Sequence, residues 1–300
     1  MSTTYHIPVL LSESIDALNI NPRGIYVDVT FGGGGHSREI LKRLTTGKLV
    51  AFDHDSDAEA NKIDDDRFIF IRNNFKFLHN FLRYNDIAEV DGILADIGVS
   101  SQHFDKAVRG FSFRYNAEID MRMNKNSDFS AAKLLSKYDE IELRRVFRNY
   151  GELDNANAIA KIIVETRRQQ QIKTVEEFLN ALEPVTPKKD ANKFLAKVFQ
   201  ALRIEVNNEI EALEQLLAHS LKSLKSQGRL VVITYHSLED RLVKNFMRSG
   251  NADGKIEKDF YGNIKTPFKV ITRKAIVPSD LEIEKNGRAR SAKLRIAEKI

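Results

Sequence analysis

The chain of 300 residues contains no cysteine and no tryptophan. Without cysteine it has no disulfide, no thiolate zinc site and no cysteine nucleophile. No apolar run nears the roughly 18 residues of a membrane-spanning segment, so no membrane partner is expected. The N-terminus carries no basic–apolar–small signal pattern, and the expected location is cytoplasmic. The seven histidines form no H-E-x-x-H pair, which argues against a zinc enzyme. Asp53, Asp55 and Asp57 imitate the start of a calcium loop, but Ala58 stands where the turn glycine belongs and Asp64 replaces the closing glutamate. No metal site is expected. Nor does any Gly-Lys-Ser/Thr occur, which removes the phosphate-cradling Walker loop.

What is present is a run of four glycines, residues 32–35, between the apolar stretch IYVDVTF and the helix-like HSREILKRL. Tyr26, Val27 and Val29 favour a strand, and Asp28 and Thr30 fall where its carboxyl end meets the turn. Glycine there allows a sharp bend and close approach to a bound molecule. The dinucleotide fingerprint fails, because Arg38 occupies the position of its third glycine. What remains, Asp28-x-Thr30-x-Gly32-x-Gly34, resembles motif I of the S-adenosylmethionine-dependent methyltransferases, with Thr30 in place of their first glycine. A loop serving only geometry is the competing reading.

Three further strand-like runs follow: KLVAFDHD to Asp53, RFIFIRNNF to Phe75 and VDGILADIG to Asp96. With Asp28 these ends recur at intervals of 25, 22 and 21 residues, the length of a βα unit. A carboxylate such as Asp53, about 20 residues beyond a glycine turn, suits ribose hydroxyls. Phe75 can lie against an adenine face, and Asp96 can reach the adenine edge, the methionine part or the substrate. Helix capping is the ordinary duty of a strand-end Asp. The common register favours a nucleoside cofactor. With a methyl donor in view, the absent cysteine matters again: methylation at pyrimidine C5 commonly proceeds through a cysteine adduct, so transfer to nitrogen or oxygen is the simpler expectation.

From about Ser130 to Gln227 the texture is helical. IELRRVFRNYGEL, NAIAKIIVETRRQQ and VEEFLNALEPV show helical apolar spacing, and a longer stretch aligns Leu195, Val198, Phe199, Leu202, Val206, Ile210, Leu213 and Leu217 on one stripe. The sheet resumes at GRLVVITYHSLEDR, where Gly228 is expected to end a helix and Ser237 to cap the next one. The expected organisation is an α/β domain at 1–105 and 205–300, interrupted by an all-helical insertion at 106–204.

The net charge of +5 is uneven: residues 265–300 hold ten Lys/Arg against four Asp/Glu, leaving the remainder at −1. That segment reads as two strands joined by a polar loop. Arg288, Arg290, Lys293 and Arg295 can neutralise phosphates, or simply protect a sheet edge.

HIPVLL (6–11), VDVTFGGGGHS (27–37), AFDHD (51–55) and DGILADIGVSS (91–101) together resemble the RsmH (MraW) family. So do RGFSFR (109–114), DMRM (120–123), FQALRIEVN (199–207), HSLEDR (236–241) and RARSAKLR (288–295), in family order along nearly the whole chain. The resemblance implies a class I S-adenosylmethionine-dependent methyltransferase with a Rossmann-like sheet, whose helical insertion recognises RNA. It implies N4-methylation of one decoding-region cytidine in small-subunit (16S) rRNA, with free rRNA or a ribosomal subunit as partner. Family cofactor contacts carry over to Gly34, Gly35, His36, Asp53, Phe75, Asp96 and His103; at His103 many relatives have a glutamine, which here is the adjacent Gln102.

The cytosine N4 lone pair is delocalised into its ring, so an acceptor for an N4 hydrogen would help it react. Related amino-methyltransferases use an Asp/Asn/Ser-Pro-Pro-aromatic motif after the fourth strand. Here that position reads Asp96-Ile97-Gly98-Val99, which makes Asp96 the candidate catalytic acceptor without the prolines or the aromatic. Phe111, Phe113, Arg114, Arg203 and His236 are candidates for the base-binding rim, with Phe111 and Phe113 equally suited to an insertion core. A DNA amino-methyltransferase and a non-catalytic assembly factor are the alternatives, and a homodimer stays open.

Overall fold

A computed structural model describes residues 8–98, 109–262 and 264–300. Strands β1 (Ile25–Asp28), β2 (Lys48–Asp53), β3 (Phe68–Arg72), β4 (Val90–Asp96) and β5 (Leu224–Thr234) lie parallel in the order β3-β2-β1-β4-β5. A separate hairpin pairs β6 (Glu257–Lys258) with β7 (Ile264–Lys265). Strands β8 (Phe268–Val270) and β9 (Lys293–Lys299) complete a seven-stranded sheet; β9 sits between β5 and β8, antiparallel to both.

The helices among the described residues are α1 (Leu11–Ala17), α2 (Gly35–Arg43), α3 (Leu78–Tyr84), α4 (Ala131–Lys137), α5 (Glu140–Asn149) and α6 (Ala156–Gln169). After them come α7 (Val175–Leu182), α8 (Ala191–Asn207), α9 (Glu209–Ser223), α10 (Ser237–Ser249) and α11 (Asp280–Lys285). The chain divides into two compact units, one made of residues 1–98 and 211–300, the other of 99–210.

In the first unit the sheet is covered on both faces, which is why its strands are nearly continuous apolar runs. Alternation sorts neighbouring residues to opposite sides. Val27, Val50, Phe52, Ile93 and Val232 face Leu78 and Leu82 of α3, Leu213 and Leu217 of α9 and Val243 of α10. Tyr26, Leu49, Leu94, Val231 and Ile233 face Ile15 of α1 and Ile40 and Leu41 of α2. Each such fully buried side chain contributes roughly 1.5–3 kcal/mol of transfer free energy.

Among its described residues the second unit consists of helices, short 3₁₀ turns and one isolated bridge, Glu118 to Thr174. Capping boxes start α5 (Asp139 with Glu142) and α7 (Thr174 with Glu177). The apolar stripe read from the sequence is divided at Asn208, whose φ of 50° separates α8 from α9. Val198, Phe199, Leu202 and Val206 enter the core of the second unit, while Leu213 and Leu217 enter that of the first.

Three sequence expectations change here. The helix before β5 ends at Ser223, and Gly228 lies inside β5, beside a bulge where pairing jumps from Val90–Leu224 to Gly92–Arg229. The cap of α10 is His236 rather than Ser237: its Nδ1 accepts the Glu239 N–H at 3.3 Å while Glu239 Oε2 accepts the His236 N–H. The basic C-terminal segment contains α11 between its strands, and β9 is interior rather than an edge.

Arg295 on β9 is buried, donating from Nε to Asp240 Oδ1 at 2.6 Å and from its terminal nitrogen to Oδ2 at 3.1 Å; Lys293 Nζ adds a contact at 3.4 Å. The HSLEDR and RARSAKLR motifs therefore meet in a structural ion pair, and Arg295 leaves the set of phosphate candidates. Burial pushes the Asp240 carboxyl up, but the Arg295 bonds and the Lys293 charge outweigh it and hold it below its ordinary value. Arg295→Ala should cost about 3–5 kcal/mol by stranding a buried carboxylate. Because the folded carboxyl is depressed, its contribution is full above the unfolded value near 3.9 and is lost as pH falls through the folded value. Denaturant melts at pH 7 and pH 3 should show the gap between wild type and variant shrinking in acid; a gap independent of pH would refute the ion pair's part in it.

Candidate active site

The loop after β1 is tied at both ends. Asp28, fully buried, accepts from Ser37 Oγ at 2.6 Å and from the Thr30 N–H at 3.1 Å, joining the end of β1 to the first turn of α2. Gly32 donates its N–H to Asp53 Oδ2 at 2.8 Å, and its carbonyl accepts from Asn61 at 3.0 Å. Gly34 precedes α2 with φ +75°, and a Cβ there would lie 2.9 Å from the Phe31 ring. At Gly35 a Cβ would stand 2.1 Å from Pro8 Cγ. No side chain caps α2. Its opening N–H groups and positive dipole end suit a carboxylate.

His36 is buried, with Nε2 3.3 Å from the Val9 carbonyl, so its ring is engaged within the fold. Asp53, at the end of β2, also accepts the Asp55 N–H at 2.8 Å. Burial pushes the Asp53 carboxyl up, and the N–H bonds from Asp55 and Gly32 offset only part of that. Phe75 opens a 3₁₀ turn after β3, half-buried against the core. His103 and Gln102 lie outside the described residues.

Asp96 ends β4, the strand beside β1. Its N–H donates to Thr30 Oγ1 at 2.7 Å, so the residue that replaces the motif's first glycine joins the two strand ends. Tyr235, arriving from the end of β5, stands beside Asp96, whose charge acts on its phenol. Its ring packs on Gly98, where a Cβ would be 2.7 Å away, and its N–H is held by Glu239 Oε2 at 2.9 Å. Burial, then the Asp96 charge, drives the phenol far above its ordinary value, so it stays a donor. For Asp28, burial again pushes the carboxyl up and the Asp96 charge adds to it. Two carboxylates at neighbouring strand ends make a site suited to a cation.

Gly32, Gly34, Asp53, Phe75 and Asp96 thus gather at the carboxyl ends of β1 to β4, where the strand order reverses and ligands bind in open α/β sheets. Sequence reasoning missed Tyr235 and the hydroxyls of Thr30 and Ser37. The rim candidates divide differently. Phe111 is buried and Phe113 packs edge-on against Phe199 at 5.6 Å, both in the second unit's core. Arg203 is held by Glu209 through two bonds of 2.9 Å. The RGFSF and DMRM motifs are also structural: Arg109 donates to the Arg122 and Met123 carbonyls, and Asn207 bridges the Met121 carbonyl and the Met123 N–H.

A parallel sheet closed by an inserted antiparallel last strand, with an uncapped glycine loop and a carboxylate after β2, defines a class I S-adenosylmethionine-dependent methyltransferase. The donor set fits that cofactor: main-chain N–H groups at the start of α2 for its carboxylate, Asp53 for its ribose. The model of the MraW methylase family matches residues 3–300, and the chain belongs to that family. Ribosomal RNA small subunit methyltransferase H of Bacteroides fragilis is 58% identical over 298 residues, covering 99% of this chain and 98% of the relative. Its counterpart in Flavobacterium johnsoniae is 56% identical over 303 residues and matches end to end.

Proposed function

We propose that the protein methylates N4 of a single decoding-region cytidine in small-subunit rRNA, acting in the cytoplasm on free rRNA or a ribosomal subunit. The observation that carries this reading is the meeting of the glycine loop, Asp53 and Asp96 at one sheet end in a chain of this family. S-adenosylmethionine, when bound, supplies an electrophilic methyl group on a sulfonium. The opening N–H groups of α2, including Gly35 and His36, hold its carboxylate; Asp53 takes the ribose hydroxyls and Phe75 covers the adenine. Asp28 and Asp96 supply the negative field that favours a sulfonium over its neutral product.

Asp96 accepts a hydrogen from the cytosine N4 and removes its proton during transfer. Thr30 fixes the Asp96 main chain, and the protonated Tyr235 phenol beside Asp96 serves as a donor to its carboxylate. The aromatic absent after β4 is thereby supplied from β5. The helical unit, with Arg114 exposed, serves RNA recognition. Tritium transfer to rRNA, ribosomal subunits and DNA, assayed side by side, tests the reading. Transfer only to DNA would make the protein a DNA amino-methyltransferase, and failure to bind S-adenosylmethionine would leave an assembly factor. Light scattering separates a monomer from a homodimer.

A further inference from the structure

The hairpin of β6 and β7 is a built turn, and none of its described residues belongs to a hydrophobic core cluster. Asp259 Oδ1 accepts the Tyr261 N–H at 2.9 Å, the Asp259 carbonyl accepts the Gly262 N–H at 3.0 Å, and Gly262 turns the chain back at φ +85°. This turn holds Phe260 and Tyr261 at the tip, 97% and 86% exposed, with ring centroids 5.6 Å apart and planes perpendicular. Among the described residues neither ring covers apolar surface, so the fold forgoes the burial that aromatic side chains ordinarily provide. The surrounding sequence is basic: residues 255–274 carry six Lys/Arg against two Asp/Glu. Lys255 and Lys258 on the hairpin, and Arg273 and Lys274 beyond it, are exposed.

Exposed π-faces interleaved with cations match one kind of partner closely. Unpaired bases stack on aromatic rings with little regard to sequence, while lysines meet the phosphates between them. An anionic membrane surface would also accept the charge, but two rings at the tip of one short hairpin offer too little apolar area for anchoring. We infer that this hairpin is a single-stranded RNA contact, with Phe260 and Tyr261 as stacking platforms for unpaired nucleotides of the rRNA substrate. The inference rests on the proposed rRNA acceptor. It adds a binding element outside the strand-end pocket, on a segment that takes no part in cofactor binding or proton transfer.

The test compares the wild-type chain with F260A/Y261A and with F260W/Y261W, using fluorescence anisotropy on a labelled small-subunit rRNA fragment containing the decoding region. The alanine pair should weaken RNA binding at least ~10-fold, and the tryptophan pair should restore it to near the wild-type level. S-adenosylmethionine affinity and melting temperature should be unchanged, since both rings lie in solvent. K255A/K258A should flatten the salt dependence of binding, which the aromatic changes leave intact. RNA affinity of F260A/Y261A within about twofold of wild type would overturn the assignment, well below the ~5-fold minimum expected of even one stacked base. So would loss of binding to anionic phosphatidylglycerol vesicles with RNA binding intact. If the wild-type chain fails to bind or methylate both the rRNA fragment and the small subunit, the proposed acceptor falls; an active wild type with an indifferent hairpin removes the hairpin alone.

Discussion

Asp96→Asn should lower single-turnover methylation of small-subunit rRNA by roughly 10²–10⁴-fold, the range for loss of a positioned proton acceptor. The amide matches the carboxylate in shape, so the Thr30 bond to its main chain and the Tyr235 ring on Gly98 should survive. Cofactor affinity, measured by calorimetry, should fall far less than the rate, by the share of the negative field that Asp96 supplies. Near-normal single-turnover rates with intact affinity would remove Asp96 from the chemistry; a drop in affinity alone would reassign it to cofactor binding. Tyr235→Phe makes a graded companion, because it deletes only the hydroxyl proposed to donate to the Asp96 carboxylate. A loss of about tenfold in rate is expected, as for one hydrogen bond to a charged group.

The second large effect belongs to Asp53. Asp53→Ala should weaken S-adenosylmethionine binding at least ~30-fold, since charge-assisted bonds to ribose hydroxyls are each worth about 1.5–3 kcal/mol. It should also lower the melting temperature, because the Gly32 and Asp55 N–H groups lose their acceptor. The pH dependence has a definite sign. Burial raises the Asp53 carboxyl above its ordinary value, and ribose hydroxyls donate best to the ionised form. Cofactor affinity should accordingly fall on acidification at a pH above the ordinary carboxylate range, and that dependence should disappear in Asp53→Ala. Calorimetric titrations between pH 5 and 8 would read both; an unchanged affinity in the variant would exclude Asp53 from the cofactor site.

The strand ends were legible because chain-local rules fix them. Apolar runs buried on both faces announce parallel strands, and the glycine turn plus the βα spacing place Asp28, Asp53, Phe75 and Asp96 at one edge. Contacts between distant segments were not legible. Tyr235 reaches Asp96 across 139 positions only because β5 pairs beside β4, and its role is invisible until Asp96 is seen opposite Ile233. The HSLEDR helix misled for a related reason. Ser is a better intrinsic cap than His, but the Glu239 carboxylate binds the N–H groups of Tyr235 and His236, which moves the cap one residue earlier. Arg295 looked like a phosphate ligand because its charge was visible and its burial was not; the antiparallel insertion of β9 turns it onto Asp240.

The motifs most specific to the family proved informative in the same way. Arg109, Asn207 and the DMRM backbone interlock inside the helical unit, so these motif residues hold one packed arrangement.

The acceptor atom is where the account is most exposed. Small subunits from a strain lacking this gene, incubated with the purified protein and S-adenosylmethionine, should gain one methyl group, and nuclease digestion with mass spectrometry should find it as N4-methylcytidine at one decoding-region position. A methyl on carbon or ribose, or methylation spread over many sites, would contradict the account.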